Sequence, residues 1–371
     1  MTEPLNILVF GAGAIGAYIG GSLALARNRV TFLEQPAAIA GLQERGLRLE
    51  LPKTKSKKQK PEYSSFILPP SSFSCVSSLE EALARGPFDF AIYALKSFDT
   101  AAFLLSLSPF LPSPSLPSPL PPSPLPPLLC LSNGVDNEPD LAAVLGADNV
   151  IAGTVTSSIG RRGVGDIVLE RLRGVGVADG HPLSRSVWQA LNAAGLNARL
   201  FARSADMKWS KMLTNLPANA TAAILDMTAA EVFSHPGLFR LEMRMLREAL
   251  AVMRAHGVRV VDLPGTPTRL LALGIRLPAL ISRPLLKKAV GGGRGGKMPS
   301  FHIDLHSGRG KSEVEWLNGA VARYGRQRDV PTPVNQFLTE TLMSLTRGEI
   351  PLETFARQPE KLLEEVKRKR R

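Results

Sequence analysis

The chain has 371 residues and a mass of 39.9 kDa, with 44% hydrophobic and 21% charged residues. That length exceeds the usual single-domain size and the composition is ordinary for a globular protein, so two domains are expected and a disordered, collagenous or coiled-coil chain is excluded. The formal net charge of +13 is concentrated in two runs, Lys53, Lys55, Lys57, Lys58 and Lys60, and Lys367, Arg368, Lys369, Arg370 and Arg371, which read as a solvated loop and tail rather than a nucleic-acid footprint.

Cys75 and Cys130 are the only cysteines, too few for a disulfide framework or a tetrahedral Cys zinc site, so a reducing compartment is expected and no metal is implied. Residues 5 to 26 are mostly apolar, but Glu3 precedes them and five glycines interrupt them, which argues for a buried strand and a glycine-rich turn rather than a signal segment. Arg276 interrupts the longest later apolar stretch, so no spanning helix is expected and the protein reads as cytoplasmic.

In chain order, Leu5 to Phe10, Ile15 to Ala26 and Arg29 to Glu34 form a β-α-β unit. A helix follows around Ala37 to Arg45, then the Lys-rich segment with Pro61, taken as an insertion in a surface connection. A third strand is predicted at Asp89 to Leu95. Residues 109 to 127 hold ten prolines among Ser and Leu, a low-complexity insertion that favours solvated polyproline II. Strands resume at Leu128 to Leu131, Val150 to Thr154, Asp166 to Leu169, Gly174 to Ala178 and Ala198 to Phe201. From about Asp206, apolar residues at three and four spacing predict helices at Lys208 to Leu225, Pro236 to His256, Ser312 to Tyr324 and Pro333 to Arg347, with a glycine loop at Gly291 to Gly296.

The division expected is therefore an α/β chain. Residues 1–203 form an N-terminal domain of alternating strands and helices with insertions near 52–65 and 105–127, residues 204–350 an all-helical domain, and residues 351–371 a basic C-terminal tail.

Gly11-Ala12-Gly13-Ala14-Ile15-Gly16 follows a strand and opens a helix, the context a dinucleotide fingerprint requires. Gly11 permits the tight turn, Gly13 the approach of backbone N–H groups to a pyrophosphate, and Gly16 the packing of helix on strand. Glu34 ends the second strand, where a carboxylate accepts from a ribose 2′-OH and repels a 2′-phosphate; that favours NAD, against a merely exposed strand-end acid. Lys96 and Asn133 also end predicted strands, placed to meet cofactor or substrate unless they are simple turn residues. Lys211, Asn215 and Asn219 recur every four residues, so they share one helix face, either to hydrogen-bond a ligand or as a solvated face.

The order of these motifs resembles the ketopantoate reductase (2-dehydropantoate 2-reductase) family. It is carried by Gly11 to Gly16, Lys96, Asn133-Gly134, Trp209-Ser210-Lys211 with Asn215 and Asn219, Pro299-Ser300 to Asp304, Ser312 to Gly319, and Pro331 to Asn335. The resemblance implies a Rossmann domain followed by a helical one with the site in a cleft between. It implies reduction of 2-dehydropantoate to pantoate in pantothenate and coenzyme A biosynthesis, with Lys211 as general acid. It also implies that Glu313 lies beside that lysine and the cofactor, that Asn133, Asn215, Asn219 and Ser300 bind substrate, and that Lys96 lies on the cofactor side.

The cofactor is NADP(H) by resemblance and NAD(H) by Glu34, because the family's usual Arg beyond the second strand is replaced by Glu34-Gln35-Pro36. Pro217 falls inside the polar helix, Lys297 stands where a family amide is usual, and the Asp304 to Glu313 spacing is one residue longer than the family pattern. The expected partner is a small 2-keto acid, with no nucleic acid or membrane, and a homodimer is left open. Two other readings stand beside this one: a reductase of a different branched 2-keto acid, and a non-catalytic nucleotide-binding protein that docks partners through its Pro-rich and basic segments.

Overall fold

A computed structural model describes residues 3–52, 62–111, 125–286 and 298–369. The Lys53 to Lys60 run, most of the Pro-rich insertion and the Gly291 to Gly296 loop lie outside the described residues. The chain divides into two compact units: Met1–Ser132 with Asn137–Ser204 and Pro264–Thr266, and Asn133–Asp136 with Ala205–Leu263 and Pro267–Arg371. The Asn133-Gly134 turn thus belongs to the second unit, although the sequence division put it inside the first.

The first unit opens with β1 (Asn6–Phe10), α1 (Ala14–Leu25), β2 (Arg29–Leu33), α2 (Pro36–Arg45), β3 (Leu47–Pro52), β4 (Tyr63–Leu68), β5 (Ser74–Val76), α3 (Leu79–Leu83) and β6 (Phe90–Tyr93). It continues through α4 (Thr100–Leu107), β7 (Leu128–Cys130), α5 (Asn137–Leu145), β8 (Val150–Val155), β9 (Ser158–Gly163), β10 (Asp166–Arg171), β11 (Val175–Ala178), α6 (Ser184–Ala193) and β12 (Ala198–Phe201). Eight strands form one sheet in the order β12-β11-β8-β7-β6-β1-β2-β5, parallel except where β11 meets β8.

Ile7, Leu8 and Val9 of β1 are fully buried, as expected of a central parallel strand covered on both faces. A second, four-stranded sheet has the order β4-β3-β10-β9, and of its strands only β10 is marked by the sequence pattern. Its helix-sheet neighbour α1 packs against β1 and β2 of the large sheet and β3, β9 and β10 of the small one.

The second unit holds α7 (Ser204–Asn215, entered from the last residue of the first unit), α8 (Asn219–Leu225), α9 (Ala229–Ser234), α10 (Pro236–Ala255), α11 (Thr268–Arg276), α12 (Ala279–Leu286), α13 (Ser300–Leu305), α14 (Asn318–Arg326), α15 (Pro333–Thr346) and α16 (Pro359–Arg368). Its apolar core runs from Met212 and Leu213 through α8, α10, α14 and α15 to Leu362 and Val366. Residues 351–371 are therefore not simply a tail: α16 buries Leu362 and Val366 beneath an outer face of mixed charge.

The helix expected at Lys208 to Leu225 is two helices. Pro217 has no N–H to donate, Ala218 turns left-handed at φ 53°, and Asn219 starts α8. Lys211 and Asn215 therefore share the last turns of α7, and Asn219 does not belong to their helix face.

The break is held by Glu242 on α10, whose fully buried carboxylate accepts from the Ala218 N–H at 2.7 Å and from the Thr221 hydroxyl at 2.5 Å. Glu242→Ala leaves both donors buried without this acceptor, so unfolding free energy should fall by about 2–4 kcal/mol in a denaturant titration. A loss below about 0.5 kcal/mol would remove Glu242 from this role.

Candidate functional site

The glycine loop of the first unit is built as the fingerprint requires. Gly11 has φ +91°, and a Cβ on Gly16 would stand 1.9 Å from the Gly11 carbonyl oxygen, so neither position tolerates a larger side chain without backbone movement. A Cβ on Gly13, by contrast, would meet nothing within 4 Å. Gly13 caps α1, whose first turn carries no acidic residue, so open space lies beside a helix N-terminus that attracts anions. Ala14 and Ile15 are the first two residues of that helix. These residues fit a pyrophosphate.

Glu34 closes onto the same loop. Its Oε2 accepts from the Ala12 N–H at 2.6 Å and its Oε1 from the Gln35 N–H at 2.9 Å, while the Gly11 N–H donates to the Leu33 carbonyl. The carboxylate is therefore held at the fingerprint rather than hanging from a strand end as an exposed acid.

Lys96 lies three residues beyond β6 and caps the turn Ser97–Asp99. A buried network holds that turn: Tyr93 Oη donates to Thr100 Oγ1 at 2.9 Å, Thr100 donates to Asn137 Oδ1 at 2.8 Å, and Asn137 Nδ2 donates to Ser97 Oγ at 3.2 Å. Burial pushes the Tyr93 phenol well above its usual pKa, so it remains a donor. Sequence reasoning missed Asn137, which is fully buried; its signal was an amide just after the Asn133-Gly134 turn.

The remaining candidates all lie in the second unit. Lys211 is half-buried on α7, flanked by buried Ser210, which accepts from the Val261 N–H at 2.9 Å, and buried Met212. One turn further on, Asn215 Nδ2 donates to Asn133 Oδ1 at 3.0 Å. Asn219 Nδ2 donates to the Asn215 carbonyl and to Ser300 Oγ, both at 3.2 Å, and its Oδ1 accepts from the Phe301 N–H at 3.1 Å. The helix break thus brings Asn219 to α13 and still leaves it bonded to the end of α7, so Asn133, Asn215, Asn219 and Ser300 form one chain of polar contacts.

Glu313 is 1% exposed and opens the 3₁₀ turn Glu313–Trp316, where Ser312 Oγ accepts from the Val314 N–H. Glu313 is thus a capped first-turn acid, but one sealed from solvent. The turn packs against α13, and its far end abuts the Asn133-Gly134 turn, since a Cβ on Gly134 would stand 2.8 Å from the Trp316 carbonyl oxygen. Gly134 also has φ +86°. Gly134→Ala should therefore cost about 1–3 kcal/mol, read as a lower thermal midpoint, and displace Asn133 from Asn215. An unchanged midpoint would mean that the turn has room to spare.

A dinucleotide fingerprint on a parallel sheet, joined in one chain to a helical unit bearing a lysine and a set of amides, defines an oxidoreductase of the two-domain dehydrogenase class. Residues 7–179 match the family model "Ketopantoate reductase PanE/ApbA" and residues 204–346 match "Ketopantoate reductase PanE/ApbA C terminal". The chain belongs to the ketopantoate reductase family.

It is 26% identical over 345 residues to a 2-dehydropantoate 2-reductase of Halobacterium salinarum, covering 91% of this chain and 97% of that protein. It is 22% identical over 340 residues to the 2-dehydropantoate 2-reductase of Pyrococcus horikoshii, covering 90% and 95%. Among solved structures, a PanE/ApbA family ketopantoate reductase from Ralstonia eutropha JMP134 matches with TM-score 0.72, 23% identity and 93% and 99% coverage. D-mandelate dehydrogenase with NADH and anilino(oxo)acetate matches with TM-score 0.70, 19% identity and the same coverage. These two structures bear on the fold. No helix among the described residues is long and apolar enough to cross a membrane.

Proposed function

We propose that this protein reduces 2-dehydropantoate to pantoate with a nicotinamide dinucleotide, in pantothenate and coenzyme A biosynthesis. The observation that carries the reading is the contact chain Asn133–Asn215–Asn219–Ser300 on the elements next to Lys211. Four neutral donor-acceptor groups suit a small, polyoxygenated acid better than an apolar one.

The cofactor, when bound, supplies the hydride to C2. Lys211 gives a proton from its ammonium group to the C2 oxygen, stabilises the negative charge growing there, and regains a proton from solvent. Glu313 orients that ammonium and lies on the cofactor side. Asn133, Asn215, Asn219 and Ser300 hold the carboxylate and the C4 hydroxyl, which fixes C2 in place. Gly11 to Gly16 hold the pyrophosphate, Lys96 lies on the cofactor side, and Glu34 faces the adenosine ribose, where its charge favours NADH over NADPH.

The test is initial-rate kinetics of purified protein with NADH and NADPH against 2-dehydropantoate and 2-keto acids lacking the C4 hydroxyl. The expected result is a kcat/KM at least tenfold higher for 2-dehydropantoate. Equal or better turnover of an acid without that hydroxyl would move the substrate to another branched 2-keto acid. Cofactor binding without turnover of any acid would favour the docking reading.

A further inference from the structure

We propose that Asp226, His302 and His306 bind a divalent transition-metal ion of the Zn²⁺ type. The site is separate from the residues assigned to substrate and cofactor. Their donor atoms all lie within 4.8 Å of one another. His302 Nε2 stands 2.9 Å from Asp226 Oδ1, and the His302 and His306 rings are 4.2 Å apart between centroids. The cysteine count argued against metal, but this cluster uses imidazole and carboxylate donors instead.

The geometry has two sources. His302 and His306 are four residues apart at the end of α13, which stacks their side chains on one helix face. Asp226 is the left-handed C-cap of α8, at φ 47° and ψ 48°, and this turn brings its carboxylate to His302. The neighbouring backbone is anchored, with the Met227 N–H donating to the Ala222 carbonyl and the Arg357 N–H to the Leu225 carbonyl.

Donors around a tetrahedral Zn²⁺ bond at about 2.0–2.2 Å and so stand about 3.3 Å apart. The His302–Asp226 pair, hydrogen-bonded at 2.9 Å, has to open by only about 0.4 Å for an ion to take the place of the shared proton. His306 is exposed and the Asp226 side chain is half exposed, so rotation of these two closes the remaining gap without moving a buried group.

Two imidazoles and one carboxylate select Zn²⁺, Ni²⁺ or Cu²⁺ over Mg²⁺ or Ca²⁺, which prefer all-oxygen shells. Three protein donors leave the fourth position to water or an exchangeable ligand. Asn219 is the first residue of α8 and Ser300 the first of α13, so the ion ties together the two helices whose opposite ends carry that hydrogen-bonded pair. It acts as a staple behind the polar cluster and takes no part in proton or hydride transfer.

The test uses tag-free full-length protein stripped with a chelator, titrated with Zn²⁺ by calorimetry and with Co²⁺ by visible absorption, and with Mg²⁺ as control. The expected result is one Zn²⁺ per chain and a tetrahedral Co²⁺ band. Zn²⁺ should raise the thermal midpoint by several degrees, and Mg²⁺ should not bind.

His306→Ala and Asp226→Asn should each weaken Zn²⁺ binding at least tenfold and abolish the Co²⁺ band. Asn tolerates the left-handed backbone of position 226, and His306 is exposed, so both variants should fold, as circular dichroism would verify. His235→Ala, outside the cluster, should bind as the parent does. No uptake by the parent, or unchanged Zn²⁺ affinity in the first two variants, would overturn the proposal. Because the readout is metal binding, this result is independent of whether the protein reduces 2-dehydropantoate.

Discussion

Lys211→Ala is expected to lower kcat by about a thousandfold, the range found when a positioned general acid or a charge-stabilising donor is removed. Lys211 is half-buried, Ala is the better helix former, and α7 is pinned by its other residues: Trp209, edge-on to Tyr324 at 5.3 Å, and buried Ser210, Met212 and Leu213. The thermal midpoint and cofactor binding should therefore stay near parent values while turnover collapses, a split that a merely structural lysine would not produce.

Lys211→Arg divides the role further, because a guanidinium keeps the charge but does not release its proton in this pH range. If proton donation dominates, Arg recovers less than tenfold over Ala; near-parent activity would assign charge stabilisation instead. A kcat for Lys211→Ala within threefold of the parent would take the general-acid role away from this residue.

The sequence made this site only partly legible. The glycine loop could be read because its constraints are local: φ +91° at Gly11 and the 1.9 Å approach at Gly16 both arise within six residues. The parallel strands β1, β2, β6, β7 and β8 were similarly visible as apolar runs, since strands buried on both faces lose the alternation of a half-exposed sheet.

The second sheet was hidden for the converse reason. Its β4 alternates weakly, with Phe66 and Ile67 exposed, and it follows the Lys-rich insertion, so neither period nor boundary marked it. The polar helix was misread because periodicity cannot register a break that keeps the spacing. Pro217 announced a kink, but the full turn depends on a left-handed Ala218 whose N–H is accepted by Glu242. Glu242 was itself readable in principle, as a charge on the apolar face of α10 one turn from Leu238 and Leu246. What no local pattern contains is the pairing of Asn133 with Asn215, residues 82 apart in the chain, or of Asn219 with Ser300, 81 apart.

Glu34→Arg is expected to raise the NADPH-to-NADH ratio of kcat/KM by about a thousandfold. In the parent, two backbone N–H groups, of Ala12 and Gln35, hold the Glu34 carboxylate at the fingerprint loop, and the 2′-phosphate of NADPH would come close to it. Two unit charges about 5 Å apart interact by ~3 kcal/mol at an effective dielectric of 20, about a hundredfold in relative affinity. Replacing the carboxylate by a guanidinium removes that repulsion and adds a charge-assisted, bidentate partner for phosphate, which supplies the further factor.

The same change deletes the bonds from both the Ala12 and the Gln35 N–H groups; only the first braces the glycine loop, so both cofactors should also bind a few-fold more weakly, at about 1 kcal/mol for that hydrogen bond. Glu34→Gln separates the two effects: its amide oxygen still accepts from Ala12 while the charge is gone, so the ratio should move about a hundredfold with little general loss. If the parent already prefers NADPH, or the ratio in Glu34→Arg moves less than threefold, the carboxylate does not face the 2′ position. Its role would then be confined to bracing the glycine loop through Ala12, and cofactor choice would rest on other residues of the first unit.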